Sequence, residues 1–175
     1  MKATGVVRRI DELGRIVIPK ELRRSLRIRE GDSLEIYIAD NSSITLKKYS
    51  VVENVKSFIK QYIDSIYYAT KKDMLIVDTE SVVGCCGNFK KELTGRKIDL
   101  RLTDIIQTKS PKIFDKGEFI EVCDGLVISE QMYLKPITVY GDVIGACMIR
   151  NNKLTETDIN IVDLSSAFIS KYLEN

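Results

Sequence analysis

The chain has 175 residues, 44% hydrophobic and 30% charged, a composition that suits one ordinary domain or two small ones and excludes a disordered polymer. No apolar run approaches the roughly 18–20 residues needed to cross a bilayer, and no signal-peptide core opens the sequence, so the cytoplasm is the expected location and no membrane partner is expected. The net charge of +2 hides an asymmetry: residues 1–50 carry eleven Lys and Arg against seven Asp and Glu, whereas the rest is slightly acidic.

Seven of the ten arginines lie in the first 29 residues. A basic head on an acidic body points to a polyanionic partner. There is no histidine, which removes the commonest general base and every Ser-His or Cys-His nucleophile pair. No Gly-rich phosphate loop or nucleophile motif occurs either, so no enzyme is expected. Cys85, Cys86, Cys123 and Cys147 form no C-x-x-C pair, and neither a metal nor a cofactor is expected. Redox sensing by Cys85 and Cys86 is weighed against simple strand packing beside Gly84 and Gly87, and packing is preferred.

In chain order, residues 4–10 read as a β-branched strand, Asp11-Glu12-Leu13-Gly14 as a turn, and residues 15–18 as a second strand. Pro19 suits the start of a helix, and residues 20–26 make one or two turns with Leu22 above Leu26. Arg27 and Arg29 favour the C-terminal end of that helix and its exit turn. Residues 33–38 alternate like a half-buried strand, Asp40-Asn41-Ser42 is a turn, and residues 44–49 are a fourth strand. Four short strands with few large apolar side chains make a marginal core. The expectation is an obligate dimer through residues 1–50, with strands of each copy completing the other's sheet.

Residues 2–24, KATGVVRRIDELGRIVIPKELRR, together with Gly31-Asp32-Ser33-Leu34-Glu35-Ile36 and Leu46-Lys47-Lys48-Tyr49, resemble the DNA-binding domain of the AbrB-type transition-state regulators. The resemblance implies a swapped-hairpin β-barrel dimer whose exposed arginines grip double-stranded DNA. The positions matching those arginines are Arg8, Arg15, Arg23 and Arg24; Arg9 matches a position that is Lys or Arg in the family. A dimer presents each guanidinium twice, and no long recognition helix is available, so selectivity should lean on DNA shape.

From residue 51 the period changes. Val52, Val55, Ile59, Tyr62, Ile66 and Ala69 follow a 3-4 spacing, an a/d seam expected to join subunits, with Phe58, Ile63 and Tyr67 widening the stripe. Packing of the same helix on its own C-terminal domain fits the pattern too, and a helix serving both purposes is expected over residues 51–72.

Residues 73–78 read as a buried strand, and residues 81–87 return as its hairpin partner. Residues 89–93 and 102–106 read as helical, and residues 119–122 as a strand. Residues 132–139 and 143–149 form a hairpin through Tyr140-Gly141-Asp142, with Pro136 marking an edge or a bulge. Thr155-Glu156-Thr157-Asp158 is a near capping box, and Ile159, Val162, Ser166, Ile169 and Tyr172 share one helical face. The class is α+β, with an antiparallel central sheet flanked by helices. The stretch from Leu134 to Ala146 and the helix after it resemble the end of GAF domains, which implies a sensor over residues 73–175 with room for an unidentified small molecule, or a dimerisation piece. Arg96, Lys97 and Arg101 are weighed as an anion site, and a solvated loop is preferred.

An AbrB-like head over 1–50, a linking helix and a GAF-like tail resemble a family of sporulation-stage transcription regulators that assemble as tetramers. The alternative is an antitoxin-like protein with the same swapped head and a disordered, toxin-wrapping tail; the folded pattern of the C-terminal half argues against it.

Overall fold

The computed structural model describes residues 6–39, 43–49, 55–89 and 91–174, and it divides into two compact units, Met1–Tyr49 and Ser50–Asn175. In the first unit, helix α1 (Lys20–Ser25) precedes a hairpin of β1 (Leu34–Ala39) and β2 (Ser43–Lys48), paired antiparallel from Leu34↔Lys48 to Ala39↔Ser43. Directly paired residues share a face, so Leu34, Ile36, Ile38, Ile44 and Leu46 line one side while Glu35, Tyr37, Thr45 and Lys47 line the other. Among the described residues much of the apolar side stands open: Ile38 is 87% exposed and Ile44 71%, while Leu34 and Leu46 are half-buried.

Of the strands expected over residues 4–10 and 15–18, the described residues 6–10 and 15–18 are not strands here. Residues 6–10 and 15–18 carry no ladder, and the rest of the first segment, like the turn at Asp40-Asn41-Ser42, lies outside the described residues. A strand exists only through a neighbour's hydrogen bonds, and the only ladder described in this unit is between β1 and β2. Helix α1 ends in a Schellman pattern: Ile28 N donates to Arg23 O at 2.7 Å and Arg27 N to Arg24 O at 3.2 Å, with Arg27 in the left-handed region at φ 55.

The second unit is built on a five-stranded antiparallel sheet in the order β4-β3-β9-β8-β5. Its strands are β3 (Asp73–Asp78), β4 (Val82–Cys85), β5 (Lys112–Phe114), β8 (Gln131–Val139) and β9 (Asp142–Asn151). A separate ribbon pairs β6 (Ile120–Cys123) with β7 (Leu126–Ile128). Helices α2 (Lys56–Thr70) and α4 (Glu156–Leu173) cover one face, and α3 (Leu100–Gln107) and the β6–β7 ribbon cover the other.

Alternation along the strands divides the core between the two faces. Met74 and Ile76 of β3 and Cys147 and Ile149 of β9 face the α2/α4 side with Ile59, Ile63, Val162 and Ile169. Leu75 and Val77, with Ala146 and Met148, face Leu102, Ile106 and Phe114. Both sides are buried, so β3 reads as an unbroken apolar run. In β4 a register shift opposite Ile76/Val77 leaves Val83 as the extra residue, which turns it toward Ile59 and Ile63.

Several local expectations are corrected. Helix α3 starts earlier than residue 102, because the Asp99 side chain caps it by accepting from Arg101 N at 2.8 Å. Residues 89–93 supply only a short 3-10 turn, Lys91–Leu93. Strands β5 and β7 were not expected. Pro136 has both features expected of it: it lies past the stretch of β8 paired with β5, beside a register shift at Ile137/Thr138, and its carbonyl accepts from Ser166 Oγ of α4 at 2.8 Å. The capping box is complete, with Asp158 in the usual place of glutamate. Among the described residues no helix is long and apolar enough to cross a membrane.

Candidate nucleic-acid interface

The five candidate arginines of the first unit lie on or beside two short devices. The first is the turn Asp11 to Arg15. Asp11 Oδ1 accepts from Leu13 N at 3.0 Å and Arg15 N at 2.8 Å, and Asp11 N donates to Arg15 O at 3.0 Å. Gly14 closes the loop at φ 75, a conformation costly for any residue with a Cβ. Arg15 leaves this turn with its Nε 2.7 Å from Asp11 Oδ2. Arg15 N–H and guanidinium donors hold the Asp11 carboxyl below its ordinary range. Arg8 and Arg9 lie exposed just before the turn, Arg8 donating to the carbonyl of Val7 at 3.3 Å.

The second device is α1. Pro19 sets its N-terminal end, with no N–H to leave unsatisfied. Arg23 and Arg24 occupy its last turn, where the helix dipole favours cations. Arg24 is exposed, whereas Arg23 is half-buried with a shielded Nε that has no hydrogen-bond partner among the described residues. No hydrogen bond links the turn arginines to those of α1 within the chain. Sequence reasoning read residues 11–14 as a turn but did not single out the contact that Asp11 makes with Arg15 four residues on.

The residues expected at a subunit seam have mixed placements. Val52 lies outside the described residues. Ile59 is fully buried against the chain's own sheet, and Val55, Tyr62 and Ile66 pack partly into the same cluster. Tyr62 donates to Ser165 Oγ at 3.0 Å, its ring stacks on Phe168 at 5.2 Å, and Phe58 stacks on Tyr172 at 4.1 Å. This face of α2 is therefore occupied by α4 and the sheet. Leu164, Phe168 and Tyr172 of α4 keep substantial exposure.

The face of the sheet under α3 is filled by side chains, among them Leu75, Leu102, Ile106, Phe114, Leu134 and Met148. A shallow hollow of about 480 Å³ lies outside it, between Arg101, Ile105, Phe119 and Val127. Arg96 is engaged by carbonyls, Nη1 on Asp124 O at 2.9 Å and Nε on Glu92 O at 3.2 Å. Cys85, Cys86, Cys123 and Cys147 are all buried. Burial pushes the Cys86 thiol up to about 11 and raises Cys123 and Cys147 as well, which favours packing over redox chemistry.

Residues 54–174 match the family described as stage V sporulation protein T C-terminal, transcription factor. Residues 7–53 match the one described as antidote-toxin recognition MazE, bacterial antitoxin. The first of these matches, which spans more than half of the chain, makes the protein a transcription factor. Over 177 residues the chain is 36% identical to stage V sporulation protein T of Bacillus subtilis, covering 99% of each. It belongs to the stage V sporulation protein T family. The first unit is 65% identical over 49 residues to the transition state regulatory protein AbrB of the same organism, 28% of this chain and 50% of that one. The solution structure of that protein's N-terminal DNA recognition domain matches at 64% identity over 29% of this chain and 92% of its own, with a TM-score of 0.26. A fragment of a methyl-accepting chemotaxis protein shares the fold of the larger unit at 17% identity, with a TM-score of 0.54, covering 67% of this chain and 85% of its own.

Proposed function

We propose that the chain is a cytoplasmic, DNA-binding regulator of sporulation-stage genes, working as a dimer through its first fifty residues. The observation that carries this is the first unit itself: it holds exposed Arg8, Arg9, Arg15 and Arg24, and an apolar hairpin face that is largely open among the described residues. The arginines suit phosphates and base edges. The apolar face suits a second copy, which would supply neighbours for residues 6–10 and 15–18 and close a swapped-hairpin barrel. The identity to AbrB, whose N-terminal domain is named for DNA recognition, supports the same reading.

The larger unit is a GAF-like domain in this proposal. Its role is assembly beyond the dimer, through exposed Leu164, Phe168 and Tyr172 of α4 in place of the buried Ile59. Ligand sensing through its outer hollow is the finer part of the proposal. The antitoxin reading draws on residues 7–53, but it called for a disordered tail, and residues 55–174 carry a packed sheet.

The test is duplex affinity measured against salt concentration. Neutralised phosphates release counterions, so log K should fall steeply with log salt, by about 0.9 per phosphate contacted. Replacing Arg23 and Arg24 by alanine should abolish binding and leave the oligomer intact in native mass spectrometry. Salt-insensitive binding that survives both changes would count against the assignment.

A further inference from the structure

Among the five arginines assigned to the interface, Arg15 is the one held by a carboxylate among the described residues. Its Nε stands 2.7 Å from Asp11 Oδ2, and its side chain is still 72% exposed. Neither terminal Nη has a hydrogen-bond partner within the described chain. The same carboxylate builds the turn through its other oxygen, which accepts from Leu13 N and Arg15 N. One side chain thus fixes both the backbone that presents Arg15 and the direction of its guanidinium. Asp11 itself is 42% exposed, so its negative charge stands at the same surface as the arginines.

This arrangement is costly for a surface meant only to attract phosphate. A carboxylate beside the cation lowers the attraction for any polyanion, whatever its sequence. Fixing the guanidinium repays that loss only where the groove offers acceptors in the matching place. An unrestrained arginine would adapt to many duplexes and discriminate among few.

We infer that Asp11 is the positioning residue of the DNA interface, aiming Arg15 so that the protein gives up general affinity for selectivity between duplexes. The inference rests on the DNA-binding reading above. It goes beyond it by naming the residue that sets discrimination, and it predicts that removing an acid from the interface makes recognition worse while making binding to unrelated DNA better.

Asparagine separates the two tasks of Asp11. In Asp11→Asn the amide oxygen still accepts the two backbone N–H groups of the turn, but the amide nitrogen in place of Oδ2 cannot accept from Arg15 Nε. Asp11→Ala loses both. The experiment uses the full-length chain and two probes: a duplex that the wild type enriches from a random pool, and a scrambled duplex of equal length. In Asp11→Asn the ratio of the two affinities should fall about tenfold, the scale of one well-placed base contact, with scrambled-duplex binding tightened. Arg15→Lys, which keeps the charge but not the fork, should show the same loss of ratio, and adding Asp11→Asn to it should cause little further loss, since the two residues act as a unit.

An unaltered ratio in Asp11→Asn overturns the inference, as does full additivity with Arg15→Lys; in both cases the wild type still binds DNA and the functional reading stands. A wild type that binds neither duplex, or enriches none, overturns the functional reading itself. A turn role alone predicts that Asp11→Ala fails while Asp11→Asn matches wild type, so that outcome also overturns the inference. Were Asp11→Asn to misfold, Arg15→Lys with an unchanged ratio would overturn it independently.

Discussion

Lys72 Nζ lies 2.9 Å from Asp158 Oδ1, an ion pair that joins the residue just before β3 to the first turn of α4. Asp158 has no solvent exposure. Its other oxygen accepts from Asn151 Nδ2 at 3.0 Å, Thr155 N at 2.9 Å and Thr155 Oγ1 at 2.8 Å. One carboxylate therefore collects the start of β3, the end of β9 and the cap of α4.

Burial pushes the Asp158 carboxyl up, but the Lys72 ammonium and hydrogen bonds from Asn151 and Thr155 outweigh it, and the net shift is below the ordinary 3.8. A folded pKa below the unfolded one means stabilisation that is present above about 3.8 and fades as pH falls through the lower folded value. Asp158→Ala should destabilise the larger unit by about 3 kcal/mol near neutral pH, since it strands Lys72 and the cap donors. The gap between variant and wild type should narrow as pH drops below 3.8. Urea unfolding followed by circular dichroism across that range checks both parts; a gap that widens in acid would refute the account.

Gly145 of β9 is a packing requirement of the central sheet. A Cβ there would intrude on the carbonyl oxygen of Val77 and come within 3.1 Å of Asp78 Cα, both on neighbouring β3. Backbone cannot swing aside as a side chain can. Gly145→Ala should cost about 2–3 kcal/mol, visible as a clear drop in the melting temperature of the larger unit. An unchanged melting temperature would mean that β3 and β9 are not this close.

Ile38 tests the dimer of the first unit. In a chain that acts alone, an 87% exposed isoleucine can be replaced by aspartate at negligible cost. If a second copy covers the face that Ile38 shares with Ile36, Ile44 and Leu46, a buried unpaired charge should disrupt the head. Ile38→Asp should then lose DNA binding, and native mass spectrometry should show the head's association gone, while the larger unit keeps its own thermal transition. A head that still associates and binds would exclude this face from the interface.

The four cysteines should be silent in the folded chain. All are buried, and burial raises the thiols of Cys86, Cys123 and Cys147. A thiol-disulfide reagent at about pH 8 should react no faster than the larger unit unfolds, and all four sites should become reactive in strong urea. Rapid modification of one thiol in the native state would reopen the redox reading of Cys85 and Cys86.

Where structure follows from neighbours in the chain, the sequence alone was sufficient. The turn at Asp11–Gly14, the Thr155–Asp158 cap, the Tyr140-Gly141 hairpin and the buried run of β3 depend on side chains and backbone a few residues apart. The family resemblance was legible for the same reason: it is carried by a continuous stretch. What depends on partners far along the chain was decided only by the tertiary structure. The 3-4 spacing of Val55, Ile59, Tyr62 and Ile66 describes equally a helix meeting another subunit and one lying on its own sheet, and only the arrival of β3, β4 and α4 buries Ile59 and Ile63. Strand β5, three residues long, exists because an edge of β8 lies open to it. Residues 6–10 and 15–18 have the composition of strands but no ladder, because a strand is completed by its neighbour and the described residues provide none there.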